Sequence, residues 1–154
     1  MVYNNFTKSM ITHYFRTLKD EKMKEVHEIR TGVWTHAEAP TETEVTELSQ
    51  LYNLDTAIVE DARDLFEVPR FERSDGVSYF FTRYPFDDQD EVIDTAPLLL
   101  VVGESFVLTI AQREVPFLDR MLEKETVYTT QKSKLFLQLM SRLTKAFDSE
   151  IVRM

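Results

Sequence analysis

The 154-residue chain contains no cysteine, which removes at one stroke a disulfide framework and every thiolate-based metal or redox site, and fits a reducing cytosol. Glycine occurs only three times, so neither a P-loop nor a dinucleotide fingerprint can be written, and Gly103-Glu104-Ser105 lacks the closing glycine of a nucleophile elbow. Most hydrolase and kinase readings fall with these absences, no set of convergent polar groups assembles into a catalytic pocket, and the chain reads as no enzyme. Long apolar runs are missing too: the best, Pro97 to Val102, is of strand length, against the roughly 18 to 20 residues of a membrane helix. Met1 to Lys8 carries Asn, Thr and Ser but no apolar h-region, so no secretory signal is visible. Basic residues are in deficit, 18 Lys and Arg against 27 Asp and Glu, and the net charge of -9 repels phosphate backbones and anionic lipid. The nearest thing to a basic cluster, Lys19, Lys22 and Lys24, is interleaved with Asp20, Glu21 and Glu25, a pattern of solvated turn. Nucleic acid is therefore not an expected partner.

What is present is 43% hydrophobic and 12% aromatic, enough for one real core in one domain. Ile11 to Thr17 and Val26 to Trp34 alternate as strands, joined by the charged Lys19 to Glu25 segment. Pro40-Thr41-Glu42-Thr43-Glu44 is a helix start with acids in the first turn, followed by Val45, Leu48, Leu51 and Tyr52 on one face. Asn53-Leu54-Asp55 breaks that helix, and Asp55 or Thr56 caps a second one expected to run to about Phe66. From Pro69 the period is that of strands, through Phe71, Val77, Tyr79, Phe80, Phe81 and Tyr84, with Ser74-Asp75-Gly76 as a tight hairpin turn. Val92 to Val102 and Phe106 to Ile110 are strands on either side of Gly103-Glu104-Ser105, the first apolar enough to be covered on both faces. Val115 to Glu123 is a helix, and Thr130 to Met154 is a long one whose stripe of Leu135, Phe136, Leu139, Met140, Leu143, Phe147 and Ile151 repeats at three- and four-residue steps. That stripe reaches Met154 without glycine, proline or a C-cap signal, so the expectation is a piece of something longer.

On the helix from Asp55, Glu60, Asp64 and Glu67 would share a face with Asp61 beside them. Like charges one turn apart repel, which a divalent cation or a basic partner would relieve, and Arg63 relieves in part. A solvated helix face is the simplest reading; the sharper one is a largely hydrated Mg2+ or weak Ca2+ shared with another surface, because carboxylates so spaced cannot form a cage alone. Asp87, Asp88, Asp90, Glu91 and Asp94 lack the offsets of an EF-hand and read as a solvated loop. His13, His27 and His36 have no acid at a ligand spacing and read as strand-surface or loop histidines. Tyr79, Phe80, Phe81 and Tyr84 could stack bases, but without a basic surface they are core.

Leu54-Asp55-Thr56-Ala57-Ile58-Val59-Glu60-Asp61-Ala62, followed by Val68-Pro69-Arg70-Phe71-Glu72, resembles the CorA family of magnesium transporters. Trp34 with Pro40 upstream, the aromatic strand Val77 to Tyr84, and Leu98 to Ile110 with its glycine turn fall in the family's order, so the resemblance spans roughly residues 30 to 154 and leaves residues 1 to 29 outside it. It implies an α/β (α+β) fold: a mixed β-sheet flanked by helices, with residues 1–129 a cytoplasmic sensor domain and 130–154 the truncated start of a long stalk helix toward missing membrane segments. It further implies a homopentamer that binds regulatory Mg2+ between subunits and gates ion transport at the cytoplasmic face of the cell membrane. Asp61 matches the family's regulatory acid, with Glu60 as its neighbour; the partner carboxylate would come from an adjacent subunit's stalk, beyond Met154. Ser141, Lys145 and Ala146 stand where many members place acids, which puts a second regulatory ion in doubt. Zn2+- and Co2+-transporting relatives share this domain, and the Gly-Met-Asn pore signature lies beyond this sequence. Alone, the piece is expected to be a monomer or a weak dimer. The reading from another class is a stand-alone acidic α/β scaffold that docks a partner on its last helix.

Overall fold

The computed structural model describes residues 9–87 and 93–153. Seven strands, β1 (Met10–Phe15), β2 (Lys24–Val26), β3 (Val33–Glu38), β4 (Arg70–Ser74), β5 (Val77–Asp87), β6 (Ile93–Val102) and β7 (Phe106–Ala111), form one sheet in the order β2-β1-β3-β7-β6-β5-β4. Every pairing is antiparallel except that of β3 with β7. The sheet is therefore mixed, and helices cover both of its faces, as the sequence led one to expect.

One face carries α1 (Glu42–Leu51) and α2 (Thr56–Glu60), whose Val45, Leu48 and Val59 are buried with Val33, Tyr79, Phe81, Leu99, Val101, Leu108 and Ile110. The other carries α3 (Leu118–Leu122) and α4 (Lys132–Arg153), whose Leu118, Met121, Leu135, Leu139 and Leu143 are buried with Trp34, Tyr84, Leu98, Leu100 and Val107. Leu98 and Leu100 thus face one layer while Leu99 and Val101 face the other, which is why β6 is apolar without alternation. The aromatic set divides by the same parity: Tyr79 and Phe81 look toward α1, Phe80 and Tyr84 toward α4.

Local chemistry accounts for most element ends. Thr41 and Glu44 form a reciprocal capping box at the start of α1, each side chain bonding the other's backbone N–H at 3.1 Å. Asp55 caps α2 by accepting from the N–H groups of Ala57 and Ile58. Asp75 and Gly76 both take positive φ, 49° and 78°, the requirement of a two-residue hairpin turn between β4 and β5.

The helix expected over Val115 to Glu123 is confined to Leu118–Leu122, β2 begins inside the expected Lys19 to Glu25 connector, and two further boundaries differ for reasons the structure shows. No strand runs from Val26 to Trp34: β2 ends at Val26 and β3 begins at Val33, because Gly32, at φ 89°, turns the chain and donates its N–H to the Ser105 carbonyl at 2.7 Å. Nor does the helix from Asp55 reach Phe66. It tightens into a 3-10 turn over Asp61–Arg63 and stops at Asp64, whose carboxylate accepts the Phe66 N–H at 2.9 Å, a local bond that competes with helix continuation. Arg83, from β5, then takes the carbonyls of Leu65 and Glu67 at 3.2 and 2.8 Å, satisfying acceptors that a helix would have used itself. The acidic loop after Asp87 lies outside the described residues up to Val92, as does Met154.

Arg16 fixes the approach to α4. This buried arginine donates to the carbonyls of Asp20, Glu21, Lys124 and Val127 at 2.9 to 3.2 Å, and its ring neighbour is Tyr128. Four carbonyl acceptors replace the water a guanidinium needs, so a charge can sit inside without a carboxylate.

Candidate functional site

The two sequence-picked acids lie where α2 passes into the 3-10 turn. Val59 and Ala62 are buried against the sheet and anchor this short segment, and the Asp55 N–H is held by the Tyr79 hydroxyl at 3.0 Å. With the apolar side fixed inward, Glu60 and Asp61 are turned outward, and the Asp61 side chain keeps 49% of its surface exposed.

Each acid has its own cation. Glu60 pairs with Arg63 at 2.6 Å, one turn on. Asp61 reaches across the loop that follows the 3-10 turn to β4, where its Oδ2 lies 2.7 Å from Nη2 of Arg70. The same guanidinium bonds Glu67 through Nη1 and Glu72 through Nε, the latter at 3.3 Å, and lies 4.0 Å over the Phe81 ring. Asp64 does not join them, because its carboxylate is spent on the turn.

The expected stripe of Glu60, Asp64 and Glu67 on one helix face is therefore absent, since the helix that would display it ends early. In its place three carboxylates, Asp61, Glu67 and Glu72, converge on one arginine. Sequence reasoning used Arg70 only as part of a family pattern and missed its role as a hub. The available signal was strand parity: Arg70 and Glu72 share a face of β4, the face that Phe81 opposes across the ladder.

Among the described residues no three His, Asp or Glu side chains are arranged to hold a metal ion between them. Asp61 and Glu60 can supply only part of a coordination shell, and Mg2+ tolerates this because it usually retains several waters. The loop that follows them into β4 exposes Leu65, Phe66 and Val68, with Phe66 at 87%. An apolar patch beside a charged cluster is a common composition for a contact surface.

The histidines separate. His13 and Thr35 are hydrogen-bonded at 2.7 Å near the surface of β1. His36, expected at the surface, is instead 5% exposed: it faces α3 on a strand covered on both sides, and burial pushes its imidazole down to about 4. It lines a 280 Å3 cavity with Tyr14, Glu38, Glu114 and Asp119. Burial, then the charges of Glu114 and Asp119, push the Glu38 carboxyl up. A larger cleft of 850 Å3 opens where β3 and β7 end, lined by Glu38, Arg63, Phe86, Gln112 and Arg113 among others, and includes neither Glu60 nor Asp61. No helix among the described residues is long and apolar enough to cross a membrane.

Residues 30–153 match the family model of the CorA-like Mg2+ transporter protein. No curated protein matches the chain. The fold is similar to the soluble domain of CorA from Methanocaldococcus jannaschii, with TM-score 0.76 at 16% identity, over 94% of this chain and 59% of that one. It is similar to the ZntB cytoplasmic domain from Vibrio parahaemolyticus, with TM-score 0.73 at 11% identity, over 92% and 60%. The complete CorA magnesium transporter from Methanocaldococcus jannaschii matches with TM-score 0.61 at 16% identity, over 72% of this chain and 35% of that one. The chain thus spans no more than about three-fifths of the solved chains it resembles.

Proposed function

The chain belongs to the CorA-like Mg2+ transporter family, and we propose that it is the cytoplasmic regulatory domain of a divalent cation transporter, with no catalytic activity of its own. In this reading the full-length protein is a homopentamer in the cell membrane, and internal Mg2+ bound between neighbouring subunits holds the pathway closed. Asp61 is the principal ligand from this chain and Glu60 its neighbour. The adjoining subunit supplies the remaining carboxylate.

The observation that carries the reading is the setting of Asp61: a half-exposed carboxylate on a segment anchored by Val59 and Ala62 and followed by the exposed Leu65, Phe66 and Val68. An ion at such a place is incomplete until a second surface arrives, so its occupancy reports subunit contact. Each site needs only a few kcal/mol of preference for the closed state, because five act together. The last helix supplies the connection onward. Its first turns are docked on the sheet through Leu135, Leu139 and Leu143, whereas Ile151 near its end is exposed. We read residues 130–154 as the start of a stalk whose later turns carry occupancy toward the membrane.

The likeness to the ZntB cytoplasmic domain favours a second reading in which the transported ion is Zn2+ and the regulatory logic is the same. The test for both is uptake of Mg2+ and Zn2+ into vesicles carrying the full-length protein. Flux of one ion that falls as Mg2+ inside rises is the expected result, and flux indifferent to internal Mg2+ would overturn the regulatory role.

A further inference from the structure

We propose that Arg70 is a built-in counter-cation for Asp61: it occupies the Asp61 carboxylate while no divalent ion is bound, and by competing for that carboxylate it sets the concentration at which the ion takes over. The inference rests on Asp61 being an ion ligand and adds what regulates that ligand.

The geometry has three parts. Asp61 accepts at Oδ2 from Nη2 of Arg70 at 2.7 Å, and its Oδ1 has no hydrogen bond among the described residues. A cation on Oδ1 would sit about 5 Å from the guanidinium, across the same carboxylate, so the two positive charges contend for one group. Second, Arg70 is not stranded when it yields. Its Nη1 and Nε are held by Glu67 and Glu72, and its plane rests on Phe81, so the guanidinium can release Asp61 without becoming an unpaired charge. Third, the side chain is only 27% exposed, so it is placed by its neighbours and keeps pointing at Asp61 rather than wandering into solvent.

An exposed pair of this kind shifts an equilibrium a few-fold, and removing a positive charge about 5 Å from a divalent ion adds a comparable or larger factor, so the combined effect is on the order of tenfold. A lysine at this position presents a point charge instead of a three-way fork. Drawn between Glu67 and Glu72, it would leave Asp61 more available, with an effect of about threefold.

The test uses the full-length protein in vesicles, with Mg2+ itself as the probe and the internal Mg2+ giving half-maximal inhibition of flux as the readout; thermal melts report folding. Arg70→Gln should lower that concentration about tenfold, and Arg70→Lys, which keeps the charge and the packing of the stem, about threefold. Combining Arg70→Gln with Asp61→Asn should leave only the weak response of Asp61→Asn. If Asp61→Asn weakens the response while both Arg70 variants stay within twofold of the parent, the competition is wrong and Asp61 remains a ligand. If Asp61→Asn changes nothing, the ligand assignment itself fails. Should Arg70→Gln not fold, Arg70→Lys decides the question alone.

Discussion

Nδ1 of His36 lies 2.7 Å from the Thr109 hydroxyl, across the parallel pairing of β3 with β7. Thr109 also accepts the indole N–H of Trp34 at 3.0 Å, so one hydroxyl ties two side chains of β3 to β7. Nε2 is buried without a hydrogen-bond partner among the described residues, and His36 lines the cavity with Glu38, Glu114 and Asp119. Burial holds this histidine neutral within the sheet.

Stability should therefore fall in acid. Burial lowers this pKa from 6.5 to about 4, so between those values the unfolded chain binds more protons than the folded one and stability rises with pH. The full contribution is present above about 6.5 and lost as pH drops through 4, a difference of about 3 kcal/mol. Urea unfolding at pH 7, 5.5 and 4 should show a pH-dependent loss in the parent that is smaller by this amount in His36→Gln. Equal slopes would mean that His36 is not held neutral.

Gly103 is the tightest of the glycines. Its N–H donates to the Phe106 carbonyl at 3.1 Å, and a Cβ there would lie 2.1 Å from the Phe106 ring. Gly103→Ala should cost about 2 kcal/mol by overpacking, and the added Phe106→Leu should recover part of it, as read by thermal melts.

The last helix is docked at its start. Leu139→Ala should lose about 3 kcal/mol in urea unfolding, since Leu139 is buried among Trp34, Tyr84 and Leu100, whereas Leu137→Ala, at an exposed position, should change stability by under about 0.5 kcal/mol. Equal effects would contradict the register of α4.

Segments whose cause is local were readable without the structure. The Asp55 cap, the Asp75-Gly76 turn and the doubly covered β6 each follow from residues within a few positions of one another, or from a pattern that repeats along one element. What was not readable depends on distant partners. The segment after Asp64 keeps its non-helical course with the help of Arg83, about twenty residues on, which takes the carbonyls of Leu65 and Glu67. Arg70 becomes a hub only once β4 is laid beside the turn that carries Asp61. His36 looked like a surface residue because strand alternation cannot tell which faces are covered, and α3, which covers it, comes some eighty residues later. The acids Glu60 and Asp61 were chosen by resemblance, and the structure supplies what periodicity missed: separate ion pairs instead of a shared stripe.

The most direct test is the internal Mg2+ needed to inhibit flux through the full-length protein with Asp61→Asn in place of Asp61. An amide keeps the shape but removes the charge, so the half-inhibiting concentration should rise about tenfold or more while thermal melts stay unchanged. An unchanged concentration in a folded variant would contradict the assignment of Asp61, and with it the account of how this domain senses the ion.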